Sequence, residues 1–144
     1  MILMKEQKQK SEELKEVMRK TLSPRHHAML YAYIVRSCRK LPYDDVEQVI
    51  EKMTVEYGKR RGRRMAKRAA KDNMPLTALN YEVYQEWQPF PGDMDSGIEL
   101  DAEEIHIFAK KCPWYDVWQT SGMLEYGKPY CKYIDEALVG GVNG

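Results

Sequence analysis

The sequence predicts an α+β fold: mainly helical over its N-terminal two-thirds, with a small antiparallel sheet near residues 97–111 and a C-terminal helix. Three observations predict it. Apolar residues recur at helical spacing through most of the chain as far as Trp87. Two short β-rich runs, Ile98-Glu99-Leu100 and Ile105-His106-Ile107-Phe108-Ala109, follow a loop rich in Pro and Gly. Helical spacing then returns from Tyr130 to Val139. The rival is an all-helical domain in which 104–111 is helical.

Taken in order, residues 1–13 are Lys-, Gln- and Glu-rich, offer no apolar face and predict a flexible tail. Residues 14–144 predict a single α+β domain. Leu14, Val17, Met18 and Leu22 form a short amphipathic stripe, and Ser23-Pro24 reads as the start of a new helix, with serine as cap and proline in the first turn. Leu30, Ile34, Cys38 and Leu41 are that helix's expected buried face, and Pro42 closes it. Asp44 or Asp45 caps the longest helix, expected to run to about Asp72 and to bury Val46, Ile50, Met53 and Tyr57. In its second half Gly58, Gly62, Ala66 and Ala70 recur every four residues, a ridge without side chains that admits a neighbouring helix or a substrate.

Asn73-Met74-Pro75 breaks the chain before a further helix with Leu76, Leu79, Val83 and Trp87 on one face. Gln88 to Gly97 is the clearest loop. Pro113 ends the second strand, because proline cannot continue a ladder. Trp114 to Ser121 predicts one or two helical turns stopped by Gly122, and Gly140-Gly141 is the expected terminator of the last helix.

The composition bounds the function. The chain has 144 residues, 43% hydrophobic and 31% charged, with a net charge of +1, which suits one compact domain. No apolar run is long enough to span a membrane, and the start has no signal-peptide core. Three cysteines, Cys38, Cys112 and Cys131, are too few and odd in number for a disulfide scaffold. A reducing cytoplasm with free thiols is therefore expected.

The near-zero net charge hides an asymmetry. Residues 1–72 carry 19 Lys/Arg against 10 Asp/Glu, and residues 73–144 carry 4 against 12. Such halves are able to pack on each other or on a second copy. Two strands also make a poor sheet alone, so a homodimer is expected, with the small-residue ridge as a further packing surface.

The strongest chemical constellation lies in the acidic half: His106, Cys112, Cys131 and Asp135. Cys131 and Asp135 are four residues apart and share one helix face. Cys112 stands just past a strand end. A thiol beside a carboxylate or imidazole is the minimum set for nucleophilic catalysis, since the base raises the thiolate fraction. The bland alternative is that both thiols are small buried hydrophobes. Two cysteines without a C-x-x-C pair are a weak metal signal, so no metal and no cofactor are expected. Cys38 reads as core, and the adjacent His26 and His27 as surface residues.

The run 59–71 is cationic on nearly every face. Three uses compete: a solvated face, a small-anion site in which an arginine beside the ridge forks onto a carboxylate, and, least favoured, a nucleic-acid backbone contact. The run lacks interleaved aromatics and a glycine-rich phosphate loop.

Three segments carry a family resemblance: Tyr57-Gly58-Lys59-Arg60-Arg61-Gly62-Arg63-Arg64-Met65-Ala66 on a helix, Cys112-Pro113-Trp114 after a strand, and Tyr130-Cys131-Lys132-Tyr133-Ile134-Asp135. In order and spacing they resemble the L-2-amino-thiazoline-4-carboxylic acid hydrolase family of bacterial cytoplasmic proteins, from about residue 45 onward. Longer members continue into further strands, so the resemblance is to a C-terminally short member. It implies hydrolysis of a small cyclic isothiourea bearing a carboxylate, acting on a C–N bond and giving a carbamoyl-cysteine. Two routes stay open, attack by a cysteine thiolate or by water activated through a carboxylate or imidazole. The residues implied are Cys112 or Cys131 as nucleophile and Asp135 and His106 as base or acid. Arg61 or Arg64 is implied as carboxylate clamp, with Trp114 and Tyr130 as substrate contacts. The alternative is a non-catalytic ligand-binding or assembly module of the same fold.

Overall fold

The computed structural model describes residues 2–76, 84, 92, 94–100 and 105–144. Among these, four helices and two strands follow one another as α1 (Ile2–Cys38), α2 (Val46–Lys71), β1 (Asp95–Leu100), β2 (Ile105–Lys111), α3 (Pro113–Thr120) and α4 (Leu124–Asn143). The fold is the predicted one, helix-dominated with a small sheet and a C-terminal helix. β1 and β2 pair antiparallel, from Leu100 opposite Ile105 to Asp95 opposite Lys111, with a register irregularity between Asp95 and Ser96. A ladder at these positions excludes the all-helical rival. β1 begins inside the expected loop, at Asp95. The expected helix face of Leu79, Val83 and Trp87, and the loop residues from Gln88 to Pro91, lie outside the described residues.

Helix α1 differs from expectation at Ser23-Pro24, where the chain continues as one helix instead of starting a new one. An interior proline removes one backbone hydrogen bond and costs about 3 kcal/mol. Here its ring is fully buried, and that burial offsets part of the cost. The buried face also differs. Leu30, Ile34 and Leu41 are exposed, whereas Ala28, Ala32 and Val35 are fully buried. The reason is Trp118. Its indole N–H donates to the Ala28 carbonyl at 2.7 Å, so the ring lies directly against the α1 backbone, where only small side chains leave room.

The same ring shapes α4. A β-carbon on Gly127 would overlap the six-membered ring of Trp118. Trp118 is thus wedged between α1 and α4, in a core with Trp114, Met123, Tyr130 and Ile134. Gly122, with φ +70°, makes the turn that sends α3 into α4; that left-handed conformation suits glycine.

Among the described elements, helices α2 and α4 share the most extensive contact. The ridge predicted on α2 is used there: Gly58 would place a β-carbon 2.7 Å from that of Ala137, and one on Gly62 would overlap the Leu138 carbonyl oxygen. The ridge therefore admits a neighbouring helix, as one of the two expectations had it, and that helix belongs to the same chain, so Gly58 and Gly62 are covered by α4 and not by a substrate or a second copy. Farther along, the buried line shifts to Met65 and Ala69, leaving Ala70 exposed, because spacing of four drifts around a helix of 3.6 residues per turn. Tyr57 lies off that line and is 49% exposed, contrary to expectation.

Helix α4 also starts before Tyr130 and runs through Gly140-Gly141 instead of ending there. Gly141 is pressed against the backbone of Lys59, whose carbonyl oxygen a β-carbon would overlap. It serves close packing, not termination. At the opposite end of the bundle Arg39 ties three helices. Its Nε and Nη2 donate to the two Glu47 carboxylate oxygens at 2.7 and 3.3 Å, and Nη1 donates to the Glu125 carbonyl at 3.1 Å.

Candidate functional site

Arg61 is the one buried charged residue among the described side chains, at 6% exposure. A guanidinium is not buried without compensation. Its Nη1 donates to the Tyr130 hydroxyl on α4 at 3.0 Å. The Tyr130 ring in turn stacks on Trp114, with centroids 4.2 Å apart and planes at 16°. Arg61, Trp114 and Tyr130 thus form one continuous unit contributed by α2, α3 and α4.

The local sequence explains each position. Cys112 leaves β2 in an extended conformation (φ −139°, ψ 129°) and stands at the N-cap of α3, with Pro113 opening that helix as its fixed φ favours. That places Trp114 in the first turn, facing the core. On α4 the buried positions Tyr130 and Ile134 leave Cys131 and Asp135 on the adjoining, exposed side. Cys112 is half-buried and packs against the same aromatic core.

The electrostatics tie these groups together. Cys131 belongs to an exposed stretch of α4, yet water removed from around its sulfur by the packed helices pushes the thiol up to about 11; the charges of Cys112 and Asp135 add to this. The thiol is therefore protonated at neutral pH. Desolvation also raises the Asp135 carboxyl above the ordinary aspartate value, and the Arg61 cation opposes that rise. Burial raises the Tyr130 phenol, again against Arg61. A carboxylate with a raised pKa, close to a buried cation and a neutral phenol, is equipped to take up and release a proton.

Of the residues singled out by sequence, Arg61, Cys112, Trp114, Tyr130, Cys131 and Asp135 are joined by packing, hydrogen bonding or charge. Arg64 follows Arg61 by about one helical turn but is exposed, on the solvent-facing edge of α2. The backbone of His106 stands in β2 opposite Glu99, and its side chain lies outside the described residues. Among the described residues no three His, Cys, Asp or Glu side chains gather where a metal ion could be held, and no helix is long and apolar enough to cross a membrane.

Two residues of the site were not anticipated. Tyr31 on α1 meets Tyr130 edge to face, with centroids 5.1 Å apart. Its hydroxyl lies 2.7 Å from Thr54 Oγ1. Thr54 gives its own proton to the Ile50 carbonyl at 2.8 Å, so Tyr31 is the donor. The signal was present in Thr54, a polar residue on the otherwise apolar line between Ile50 and Gly58.

The fold and site together define a helix-dominated α+β protein with a thiol, a carboxylate and a buried guanidinium around an aromatic core. The family profile described as L-2-amino-thiazoline-4-carboxylic acid hydrolase matches residues 22–144, and the chain belongs to that family. The match reaches further toward the N-terminus than the resemblance from residue 45. No curated protein and no solved structure matches the chain.

Proposed function

We propose that this protein hydrolyses a small cyclic isothiourea carboxylate of the 2-amino-thiazoline-4-carboxylate type, opening the ring at a C–N bond. The observation that carries the reading is the convergence of the three family segments on Tyr130: Arg61 from the first donates to its hydroxyl, Trp114 from the second stacks on its ring, and Tyr130 opens the third.

In this reading Arg61 receives the substrate carboxylate, exchanging part of its bond to Tyr130 for a charge-assisted one. Asp135 takes a proton from water as the water oxygen adds to the amidine carbon. Asp135 passes that proton to the ring nitrogen. As the ring C–N bond breaks, the added hydroxyl gives its own proton through Asp135 to the same nitrogen, leaving a carbonyl and a primary amine. All the atoms of water end in the product, a carbamoyl-cysteine. The raised Cys131 pKa supports the water route over a preformed thiolate. Cys131 and Cys112 then act as walls of the site.

The test is incubation with 2-amino-thiazoline-4-carboxylate under mass detection. Expected is a product heavier by one water, lost in Asp135→Asn and Arg61→Met and retained in Cys131→Ser. Absence of product from the wild-type chain overturns the reading and favours a non-catalytic ligand-binding role. Loss of product in Cys131→Ser alone restores the thiolate route.

A further inference from the structure

We propose that Tyr31, anchored by Thr54, is a positioning residue: through Tyr130 it sets the Arg61 guanidinium to receive the substrate carboxylate. That role rests on the hydrolase reading, whereas the packing behind it does not. The Tyr130 hydroxyl accepts from Arg61 Nη1 at 3.0 Å, so the direction of the guanidinium follows the ring that carries the acceptor. Trp114 stacks on that ring with centroids 4.2 Å apart, but stacked pairs tolerate a range of offsets. Tyr31 supplies a contact of a different kind. Its ring meets that of Tyr130 at 75°, with centroids 5.1 Å apart, and a slide or tilt of Tyr130 would disturb it.

Tyr31 is itself held. Its hydroxyl donates to Thr54 Oγ1 at 2.7 Å, and Thr54 donates to the Ile50 carbonyl at 2.8 Å. Burial raises the Tyr31 phenol above its ordinary value, so the donor keeps its proton. Thr54 is 1% exposed and precedes Arg61 by seven residues, about two turns along the same face of α2. One helix therefore fixes the cation and, through Thr54 and Tyr31, braces the ring that carries its acceptor. Neither hydroxyl is needed to fill space. Phenylalanine and valine have the same shapes, and replacing both partners of a hydrogen bond in that way is often nearly neutral for stability. What the two hydroxyls add is direction, by tying the Tyr31 ring to α2. A cation already oriented in the free protein binds an anion without first having to be ordered.

Rotation of the Arg61 guanidinium about its Nε–Cζ bond, read by nitrogen NMR on the isotope-labelled full chain, tests the positioning without any substrate. Tyr130→Phe removes the acceptor and should speed that rotation about fivefold, the factor one ordinary hydrogen bond carries. Tyr31→Phe should speed it at least about twofold, as the bond is loosened but not lost. In that variant Thr54 stays bonded to the Ile50 carbonyl, so the fold is not at stake. Thr54→Val should act as Tyr31→Phe does, and Thr54→Ser, which restores the acceptor, should return the rotation to the wild-type rate. With 2-amino-thiazoline-4-carboxylate, Tyr31→Phe should raise KM at least about threefold and leave kcat within about twofold, because a carboxylate contact is made equally in the ground and transition states. Unchanged rotation in Tyr31→Phe overturns the proposal even where product forms, and so does a fall in kcat at unchanged KM. If the wild-type chain yields no product, the hydrolase reading falls and the carboxylate role with it, while faster rotation in Tyr31→Phe still shows that Tyr31 orients Arg61.

Discussion

The Arg61 guanidinium donates to the Tyr130 hydroxyl at 3.0 Å across the α2–α4 interface. Both residues are buried, so this bond stabilises a charge held largely away from water. Tyr130→Phe keeps the ring and its stack on Trp114 but removes an acceptor from the cation. The expected loss of stability is about 1–3 kcal/mol, the typical cost of leaving a buried polar group short of a partner. Denaturant unfolding measures it. A variant as stable as the wild type shows that the hydroxyl contributes nothing to holding the guanidinium.

In the proposed reaction Asp135 and Arg61 couple activity to pH. The base form of Asp135 is the deprotonated one, so kcat/KM falls as pH drops through its pKa. Desolvation places that limb above the ordinary aspartate value, and Arg61 pulls it back down. In Arg61→Met the restraint is gone, and the residual activity should show its acid limb at higher pH than the wild type. A pH profile of kcat/KM on both proteins checks the direction. A limb that stays in place, or moves to lower pH, removes Asp135 as the base.

The Cys131 thiol should be slow to alkylate at neutral pH. With its pKa pushed up to about 11, the thiolate is scarce until strongly alkaline pH. Iodoacetamide labelling read by peptide mass should therefore keep rising beyond pH 9 and level near pH 11. Asp135→Asn removes one of the charges that raise it and should shift the labelling curve to lower pH. The same shift has a stability consequence. Because the folded-state value lies above the ordinary thiol value of 9.0, the unfolded chain loses its proton first, and stability falls as pH rises from about 9 to about 11.

Much of this arrangement was legible in the chain. The four-residue spacing of Cys131 and Asp135 puts both on one side of α4, and Pro113 after a β-rich run ends β2 and opens α3. What was not legible depended on partners distant in sequence. In the run from Lys59 to Lys71 nearly every face is cationic, and Arg61 and Arg64 are alike in charge and size, so nothing local distinguishes the inward Arg61 from the outward Arg64; Tyr130 makes that choice from 69 residues away. Likewise Leu30 and Ile34 outrank Ala28 and Ala32 in hydrophobicity, yet the alanines are buried, because Trp118 donates to the α1 backbone across 90 residues. Gly140 and Gly141 resemble a helix terminator until the Lys59 backbone beside Gly141 is known.

That pair of glycines allows a direct comparison. A β-carbon on Gly141 would overlap the Lys59 carbonyl oxygen, and one on Gly62 would overlap that of Leu138; a β-carbon on Gly140 meets nothing within 4 Å. Backbone cannot yield as the end of a side chain can, so Gly141→Ala and Gly62→Ala force α2 and α4 apart. Each is expected to destabilise by about 1–3 kcal/mol or more, the cost of overpacking a well-filled interface. Gly140 lies inside α4, where alanine is the better helix former by up to about 1 kcal/mol. Gly140→Ala is therefore expected to raise the melting temperature while its neighbour lowers it. Thermal unfolding of the three variants decides the matter: if Gly141→Ala melts as high as Gly140→Ala, the close approach of α4 to Lys59 is not what fixes a glycine there.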